Sequence, residues 1–306
     1  MRIGLILPLF SGRVERVLEF TREAEDLGFD GVFAFDHFFP PGASPDRPSL
    51  EAFATLAAVG AATSRLAVGT LVTRAQLRPT GLLAKTVANI DHMTGGRMIL
   101  GIGTGDPIDE PEHRAFGIST LGRRERRAHL AETVAAVKAL FRGERWEGGA
   151  YVPALAGPLL PPPSTAGGPP VWIGAQADAV VRLAGALADG WNGWGLEPDE
   201  FRRKARLLAE EAGAAGREVE ATWAGITLVG EDEDEARSLV EARRARGMPE
   251  VGVWTGGAER FVEFVGELEE AGATWLIVVP AGPTDRMEVI ARAVRPNQVR
   301  RGAPPA

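Results

Sequence analysis

Strand-like and helix-like segments alternate along almost the whole chain, and this alternation restricts the fold more than any other feature. Short apolar runs are each followed by a longer segment in which apolar residues recur every three or four positions, the period of a helix. Strict alternation requires a parallel sheet with right-handed crossovers. The predicted strands are Ile3–Pro8, Gly31–Phe35, Leu66–Val72, Arg97–Gly103, Val171–Ile173, Gly190–Trp191, Ala221–Val229 and Trp275–Pro280.

Eight strand–helix units close most naturally into a (β/α)8 barrel, and an open doubly wound sheet is the alternative. We therefore predict an α/β fold with a single (β/α)8 TIM barrel over residues 1–299. Glycine and proline are frequent around residues 143–170, which predicts an irregular insertion there. Residues 300–306 are predicted to form a disordered tail.

Composition removes several classes of function. The chain of 306 residues has no cysteine, which excludes disulfides, thiolate metal sites and cysteine nucleophiles and fits a cytoplasmic protein. Its net charge of −7 argues against nucleic acid as a partner. No apolar run approaches the roughly 18 residues of a membrane span, so no membrane partner is expected. The expected partner is a small-molecule substrate, with a homodimer as the candidate assembly.

Barrel enzymes carry their chemistry at the carboxyl ends of the strands. Asp36 and His37 follow the second predicted strand directly. An aspartate beside a histidine can tune proton transfer near neutral pH, and a pair that only caps the loop is the alternative. Asp91 and His92 precede the fourth strand and so lie on the opposite face, which predicts a structural hydrogen-bond cluster with Arg97 as a candidate member.

The other two histidines point less clearly to chemistry. His113 lies in the loop after the fourth strand, on the productive face, unless it is simply solvated. His129 is expected on the surface of a helix. Four scattered histidines without metal-ligand spacing predict no metal site.

The loop after the fourth strand is rich in glycine. Its sequence, GIGTGDPIDE at 101–110, resembles a dinucleotide fingerprint, but Asp106 and Pro107 stand where a helix should begin. The glycines instead let a planar ligand approach the backbone. Asp106, Asp109 and Glu110 either serve the site or form a solvated acidic loop.

The segment VWIGAQADAVVRLAG, residues 171–185, passes from a buried strand into a helix. Backbone N–H groups around Ala175–Asp178 can hold one phosphate at the helix N-terminus, and an ordinary turn is an equal alternative. One phosphate site suits a mononucleotide-like cofactor better than a dinucleotide.

Taken together, these segments resemble the bacterial-luciferase-like monooxygenase family, and within it the F-420-dependent class. The resemblance runs from Ile3 to about Ala293. It rests on IGLILP in the first strand, GFDGVFAFDHFFP (28–40), RLAVGTLVTRAQLRPTGLLAKTVANIDHMTGGRMILGIGTGD (65–106), PPVWIGA (169–175), ADGWN (188–192) and AGATWLIVV (271–279).

This resemblance implies a barrel that carries coenzyme F-420, a deazaflavin, or else FMN. It implies a non-prolyl cis peptide between Leu71 and Val72, behind the deazaflavin ring. Asp36 matches a cofactor-contacting aspartate, and His37 matches the catalytic histidine of F-420-dependent sugar-phosphate dehydrogenases.

The resemblance also assigns residues of the two later loops. Asp106 stands where those dehydrogenases carry a glutamate acid, and Asp109 stands where they carry an asparagine that binds the cofactor. The remaining expected cofactor contacts are Thr104, Gly105, Ala175 and Gln176.

One departure concerns the substrate. The loop of the sixth strand is WNGWG, residues 191–195, and contains no lysine with which to hold a sugar phosphate. Sugar-phosphate specificity is therefore not expected. Trp191, Trp194 and Phe38 are expected to wall the pocket instead, and the alternative for the two tryptophans is that they belong to the core.

The first hypothesis is an oxidoreductase that transfers a hydride between F-420 and a small organic substrate. His37 would move the substrate proton, Asp36 would orient it or contact the cofactor, and Asp106 would be a second acid or base. The second hypothesis is an FMN- and oxygen-dependent monooxygenase of the luciferase type. The third is a flavin-binding barrel without turnover. The DHF and GTGD sequences favour the first.

F-420 carries a polyglutamate tail, so arginines at the rim of the pocket are expected to contact it. The alternative is that they are solvated or paired with carboxylates, where they contribute little. The candidates are Arg74 and Arg78 after the third strand, and Arg123, Arg124, Arg126 and Arg127 in the helix after the fourth.

Overall fold

A computed structural model gives the fold of residues 1–41, 45–248, 252–282 and 286–299. Its strands are β1 (Arg2–Ile6), β2 (Gly31–Ala34), β3 (Ala67–Thr70), β4 (Thr73–Arg74), β5 (Met98–Gly103), β6 (Val171–Gly174), β7 (Gly190–Trp194), β8 (Glu220–Gly230), β9 (Val253–Gly257) and β10 (Ala273–Pro280). Its helices are α1 (Val14–Asp26), α2 (Ala52–Ala62), α3 (Thr80–Thr94), α4 (Glu110–Ala115), α5 (Arg123–Phe141), α6 (Asp178–Leu187), α7 (Pro198–Ala214), α8 (Glu233–Ala245), α9 (Ala258–Glu270) and α10 (Arg286–Val299).

The strands form a closed parallel barrel. Their order is β10–β1–β2–β3–β5–β6–β7–β8, and pairing of β8 with β10 completes the ring. The short strand β4 follows β3 and also pairs with β5. Every predicted strand lies on one strand of this ring, so the predicted (β/α)8 barrel is confirmed.

Strand β9 was not predicted. It pairs with Ile226–Gly230, the end of β8, and lies outside the ring. Strand β8 is 11 residues long, so residues 220–224 pair with β7 while residues 226–230, beyond the end of β7, remain available to β9. The sequence VWTGG of β9 has two glycines in five residues, and glycine disfavours a strand.

Two apolar layers hold the barrel together. Helices pack on its outside over one large cluster of buried residues. Inside, Phe33, Trp172 and Trp275 form a triangle with ring centroids 5.5 to 5.7 Å apart. Because these rings fill the interior, a ligand finds space only at the strand ends.

The predicted irregular insertion is also present. Residues 142–170 form no helix or strand and contain one isolated bridge, between Trp146 and Leu155. Glu132 of α5 holds this segment by accepting three consecutive backbone N–H groups at 2.8 to 2.9 Å, those of residues 150–152.

The Asp91 cluster differs from the prediction in its members. Asp91 is fully buried, and its carboxylate accepts the N–H and the hydroxyl of Thr165 at 2.8 and 3.0 Å. Arg97 donates instead to backbone carbonyls, including that of Leu66 at 2.6 Å. His92 is exposed, and its Nδ1 lies 3.4 Å from the hydroxyl oxygen of Ser164, so Asp91 is the buried member of the predicted cluster.

No helix among the described residues is both long and apolar enough to cross a bilayer. The predicted tail at 300–306 lies outside the described residues, so the boundary at 299 stays a prediction.

Candidate active site

Neighbouring strand ends bring the predicted cofactor residues to one edge of the barrel mouth. The Leu71–Val72 peptide, between β3 and β4, is cis, as the resemblance implied. A Cβ on either Gly103 or Gly174 would lie 2.9 Å from a Val72 methyl carbon, so these glycines make room for that side chain. The two glycines pair across β5 and β6. Val72 therefore lies beside both of the loops that follow these strands.

His37 pairs with a carboxylate that the sequence analysis did not select. Its Nδ1 lies 2.7 Å from Oε1 of Glu112, in α4. The second oxygen of Glu112 accepts the backbone N–H of Phe38 at 3.0 Å. Glu112 is buried, whereas 19% of the His37 side chain is exposed at the mouth. Nδ1 thus faces the protein, and Nε2 is the ring nitrogen left for a ligand.

Glu112 is ionised in spite of its burial. Burial raises the pKa of this carboxyl, but hydrogen bonds from His37, the Phe38 N–H and Arg74 outweigh that effect and bring the pKa below its ordinary value. An ionised Glu112 accepts a hydrogen bond from Nδ1–H, which leaves the lone pair of neutral His37 on Nε2. The pair is arranged to accept a proton at Nε2.

Arg74 of β4 offsets part of the negative charge of two buried carboxylates, Glu112 and Asp109. Its guanidinium lies 2.7 Å from Glu112 and 3.3 Å from Asp109, and it also donates to the carbonyl of Asp36 at 3.2 Å. Only 4% of the Arg74 side chain is exposed. The side chains of His37, Asp109 and Glu112 lie close enough together to hold a metal ion. Since Arg74 already contacts both carboxylates, a metal cation there would meet its positive charge.

Asp36 is placed differently from the expectation that it orients His37. Its buried carboxylate accepts the hydroxyl of Thr73 at 2.6 Å and two bonds from Arg78 at 2.5 and 3.1 Å. The residue that orients the imidazole is Glu112. A contact of Asp36 with the cofactor stays a prediction.

Two of the arginines expected at the rim are therefore not free to bind a tail. Arg74 is buried, and Arg78 also pairs with Glu51 and stacks on Phe53 with its guanidinium carbon 4.5 Å from the ring centroid. Arg126 donates to the carbonyl of Gly105 at 2.8 Å. The arginines of this set that remain exposed are Arg123, Arg124 and Arg127.

The loop after β5 is closed by Asp109. Its buried carboxylate accepts the backbone N–H of Asp106 at 2.6 Å. Gly105 has a φ of +72°, and a Cβ there would lie 3.1 Å from Asp109. The side chain of Asp106 is exposed. The acid–base role of Asp106 and the cofactor contacts of Thr104, Gly105 and Asp109 stay predictions.

The loop before α6 offers fewer free N–H groups than expected. The Ala175 N–H donates to the carbonyl of Asn192 at 3.0 Å, and the Gln176 side chain donates to the carbonyl of Trp194 at 2.8 Å. Across the described residues no acceptor meets the backbone N–H of Gln176 or Ala177. A phosphate site here would begin at Gln176, one residue later than expected.

A buried lysine lies under this loop. Lys204 of α7 donates to the carbonyl of Gln176 and to the carboxylate of Asp178, both at 2.7 Å. Lys204 lies 28 residues beyond Gln176 and on a different helix, so no local pattern in the sequence indicates this contact. Lys204 fixes the loop backbone, and its positive charge is paired with the carboxylate of Asp178.

Aromatic rings line the mouth beside His37. The ring of Phe35 lies 6.4 Å from that of His37, 5.6 Å from Trp194 and 6.1 Å from Phe10, centroid to centroid. Trp191 does not join them, because side chains alternate along a strand and it faces the opposite side of β7. It is buried and stacks on Phe201 of α7 at 5.2 Å.

The two remaining histidines are less exposed than predicted. His113 is buried, and its Nε2 has no hydrogen-bond partner among the described residues. Burial and the nearby charge of Arg74 lower the pKa of His113. His129 is half-buried beside Tyr151, with ring centroids 5.9 Å apart, and burial lowers its pKa as well.

A comparison with protein families decides the family question. The profile of the luciferase-like monooxygenases matches residues 1–300. The chain belongs to this family. One relative of this luciferase-like protein is an F-420-dependent glucose-6-phosphate dehydrogenase of Microbacterium testaceum, 30% identical over 74% of this chain and 63% of that protein. The chain thus spans slightly less than two thirds of that relative's length.

Two solved structures share the luciferase-like fold. An F-420-dependent secondary alcohol dehydrogenase superposes with a TM-score of 0.82 at 20% identity, over 96% of this chain and 98% of that one. An EDTA monooxygenase from Chelativorans superposes with a TM-score of 0.81 at 15% identity, over 100% and 95%. Since a dehydrogenase and a monooxygenase fit equally well, the fold does not select the reaction.

Glu112 is the main site residue of this luciferase-like chain that sequence analysis missed. It follows Asp109 by three residues, a spacing that places two side chains on one side of a helical turn. That spacing was the available signal. The contact itself joins residues 75 positions apart, which no local pattern reveals.

Proposed function

We propose that this protein is an F-420-dependent oxidoreductase that acts on a small, uncharged alcohol or carbonyl compound. The His37–Glu112 pair carries the proposal, because it presents an acid–base nitrogen at a barrel mouth lined by aromatic rings. Relatives described as F-420-dependent support the choice of cofactor. The flavin-dependent alternative shares the fold and is an outcome of the experiment below.

The edge formed by β4, β5 and β6 fits the coenzyme. The free N–H groups of Gln176 and Ala177, directly before α6, suit a single phosphate. Val72, which packs against Gly103 and Gly174, offers an apolar surface for a planar ring. When bound, F-420 accepts or releases a hydride, which is the redox chemistry that no side chain supplies.

The side chains manage the proton. In the oxidation of an alcohol, Nε2 of His37 takes the hydroxyl proton, and in the reverse direction it returns that proton to the carbonyl oxygen. Glu112 fixes the tautomer of His37 and stabilises the imidazolium that forms. Arg74 keeps Glu112 ionised through their 2.7 Å contact.

The proposed substrate class follows from the surroundings of His37. Phe10, Phe35 and Trp194 present apolar surface. Arg74 and Arg78 reach the site but are bound to carboxylates, so neither is available to a phosphate ester. An uncharged substrate needs no such cation.

The test has two stages. The purified protein is titrated with oxidised F-420 and, separately, with FMN, and the dissociation constants are compared. Loss of deazaflavin absorbance is then followed with secondary alcohols of increasing chain length and with glucose 6-phosphate. We expect tighter binding of F-420 and turnover with the alcohols. Tighter binding of FMN would replace the proposal with a luciferase-type monooxygenase, and a preference for glucose 6-phosphate would overturn the substrate class.

A further inference from the structure

An open groove of about 540 Å³ runs between α5 and α6 on the outside of the barrel. Small side chains, including Ala128 and Ala179, leave this space open, and Arg124, Arg127 and Arg182 border it. The groove is separate from the mouth that holds His37.

The arginines that border the groove, Arg124, Arg127 and Arg182, outnumber its carboxylates, Glu125 and Glu211, by one. Arg124 and Arg127 are exposed and have no acidic partner among the described residues. Arg182 lies 3.3 Å from Glu211 of α7. The other acid that borders the groove, Glu125, accepts the backbone N–H of Gly122 at 2.7 Å. This local excess contrasts with the net charge of −7 of the whole chain.

The groove begins where the proposed phosphate site ends. Helix α6 starts at Asp178, directly after the free N–H groups of Gln176 and Ala177, and Ala179 in its first turn borders the groove. Helices α5 and α6 both follow barrel strands, so both direct their N-termini to the face of the mouth. The positive ends of two helix dipoles therefore lie at the end of the groove that is nearest the barrel mouth.

We propose that this groove binds the anionic oligoglutamate tail of F-420. The proposal rests on the proposed function, since it takes the phosphate of F-420 to lie at Gln176 and Ala177. The tail leaves the coenzyme beyond that phosphate and carries one carboxylate per glutamate. From Ala179 to Ala186 the helix is about 10 Å long, so the groove holds the first few carboxylates rather than a long tail.

This assignment replaces Arg74 and Arg78 as tail contacts. Those two side chains pair with carboxylates at the mouth, whereas Arg124 and Arg127 are free to meet an incoming carboxylate. The competing explanation is that Arg124 and Arg127 are only solvated, in which case their removal changes no affinity.

The test measures the binding of two forms of the coenzyme by fluorescence titration. One is long-tailed F-420, and the other keeps the phosphate and lactate but has no glutamate. For Arg124→Ala/Arg127→Ala we expect the dissociation constant of the long-tailed form to rise about tenfold, because the variant removes two exposed positive charges that face the tail. The tail-free form should bind as it does to the unchanged protein. A matched control is Arg16→Ala/Arg22→Ala, which removes two exposed arginines of α1.

The remaining outcomes separate this proposal from the one on which it rests. Equal weakening of both forms would mean that Arg124 and Arg127 support the phosphate loop, and it would overturn the tail site. No weakening of either form would mean that these arginines are only solvated, and it would overturn the site as well. If neither form binds the unchanged protein, the F-420-dependent function itself is wrong.

Discussion

A histidine at a strand end serves proton transfer well only when one of its nitrogens is fixed. In this protein Glu112 fixes Nδ1 of His37 at 2.7 Å, and Arg74 holds Glu112 from the other side at the same distance. The order Arg74–Glu112–His37 leads from a buried cation to a partly exposed imidazole. The site around His37 therefore contains charged groups, although the aromatic rings beside it are apolar.

The Glu112→Gln variant tests this arrangement. The amide keeps the shape of the side chain and can still accept the Phe38 N–H, but it has no charge with which to stabilise a protonated His37. We expect kcat to fall about 100-fold, the scale of general acid–base catalysis, with the dissociation constant of F-420 unchanged. His37→Ala should cost at least as much. The double variant should be no slower than His37→Ala alone, because the two residues act as a unit. An unchanged kcat in Glu112→Gln would contradict the pairing.

Neighbouring residues of α3 allow a matched test of stability. Asp91→Ala leaves the N–H of Thr165 without its buried acceptor, which costs about 1–3 kcal/mol of unfolding free energy. His92→Ala changes an exposed side chain and should stay within about 0.5 kcal/mol. Thermal unfolding, followed by circular dichroism, should show a clear loss for Asp91→Ala alone. A larger loss for His92→Ala would mean that the roles of this pair are reversed.

Residue patterns could predict the position of His37 but not its partner. The strand-end rule placed His37 at the mouth, because it needs only the order of strand and loop. Glu112 reaches His37 through a contact across 75 residues, and Lys204 reaches Gln176 across 28. Such contacts depend on how α4 and α7 pack, which the local sequence does not specify. The alternation of side chains along a strand, by contrast, is enough to predict that Trp191 and Trp194 face opposite sides of β7.

At the scale of elements, glycines decide how closely the strands of the mouth approach each other. Gly101 of β5 lies so near β3 that a Cβ would come within 2.1 Å of the Thr70 carbonyl oxygen. Gly103 and Gly174 make the space that Val72 fills. Periodicity predicted these strands, but it could not predict β9, whose partner is the overhanging end of β8.

Two glycine substitutions test this view. Gly101→Ala forces a backbone to move, so we expect it to destabilise the protein by several kcal/mol or to prevent folding. Gly266→Ala lies in α9 with nothing within 4 Å of the new Cβ, and it should stabilise the helix by about 0.5–1 kcal/mol. Urea unfolding midpoints would compare the two. A tolerated Gly101→Ala, with an unchanged midpoint, would show that β3 and β5 can separate at little cost.

At the scale of the whole molecule, single carboxylates fasten loops that are distant in sequence. Glu25 of α1 accepts the backbone N–H groups of residues 64–66, and Glu132 of α5 accepts those of residues 150–152. Burial raises the pKa of each carboxyl, but these hydrogen bonds outweigh it and bring both pKa values below their ordinary value. Burial has the opposite net result at Glu23 and Asp30, whose pKa values are raised. Acid stability is the sum of these opposing contributions.

The contribution of Glu25 and Glu132 can be measured separately from that sum, as the difference in free energy of unfolding between a variant and the unchanged protein. A carboxyl whose pKa is lower in the folded chain stabilises the fold fully above its ordinary pKa, and the stabilisation is lost as the pH falls through the folded value. Glu25→Gln/Glu132→Gln should therefore lower the free energy of unfolding at pH 7 by about 1 kcal/mol per carboxylate, a figure kept small by solvent screening. This deficit should shrink as the pH falls below the ordinary pKa of 4.5.

Urea unfolding midpoints at neutral and acid pH measure this deficit. Glu241→Gln, which removes an exposed carboxylate without a hydrogen bond among the described residues, is the control. A deficit that stays constant over this pH range would show that the charges of Glu25 and Glu132 do not fasten these loops.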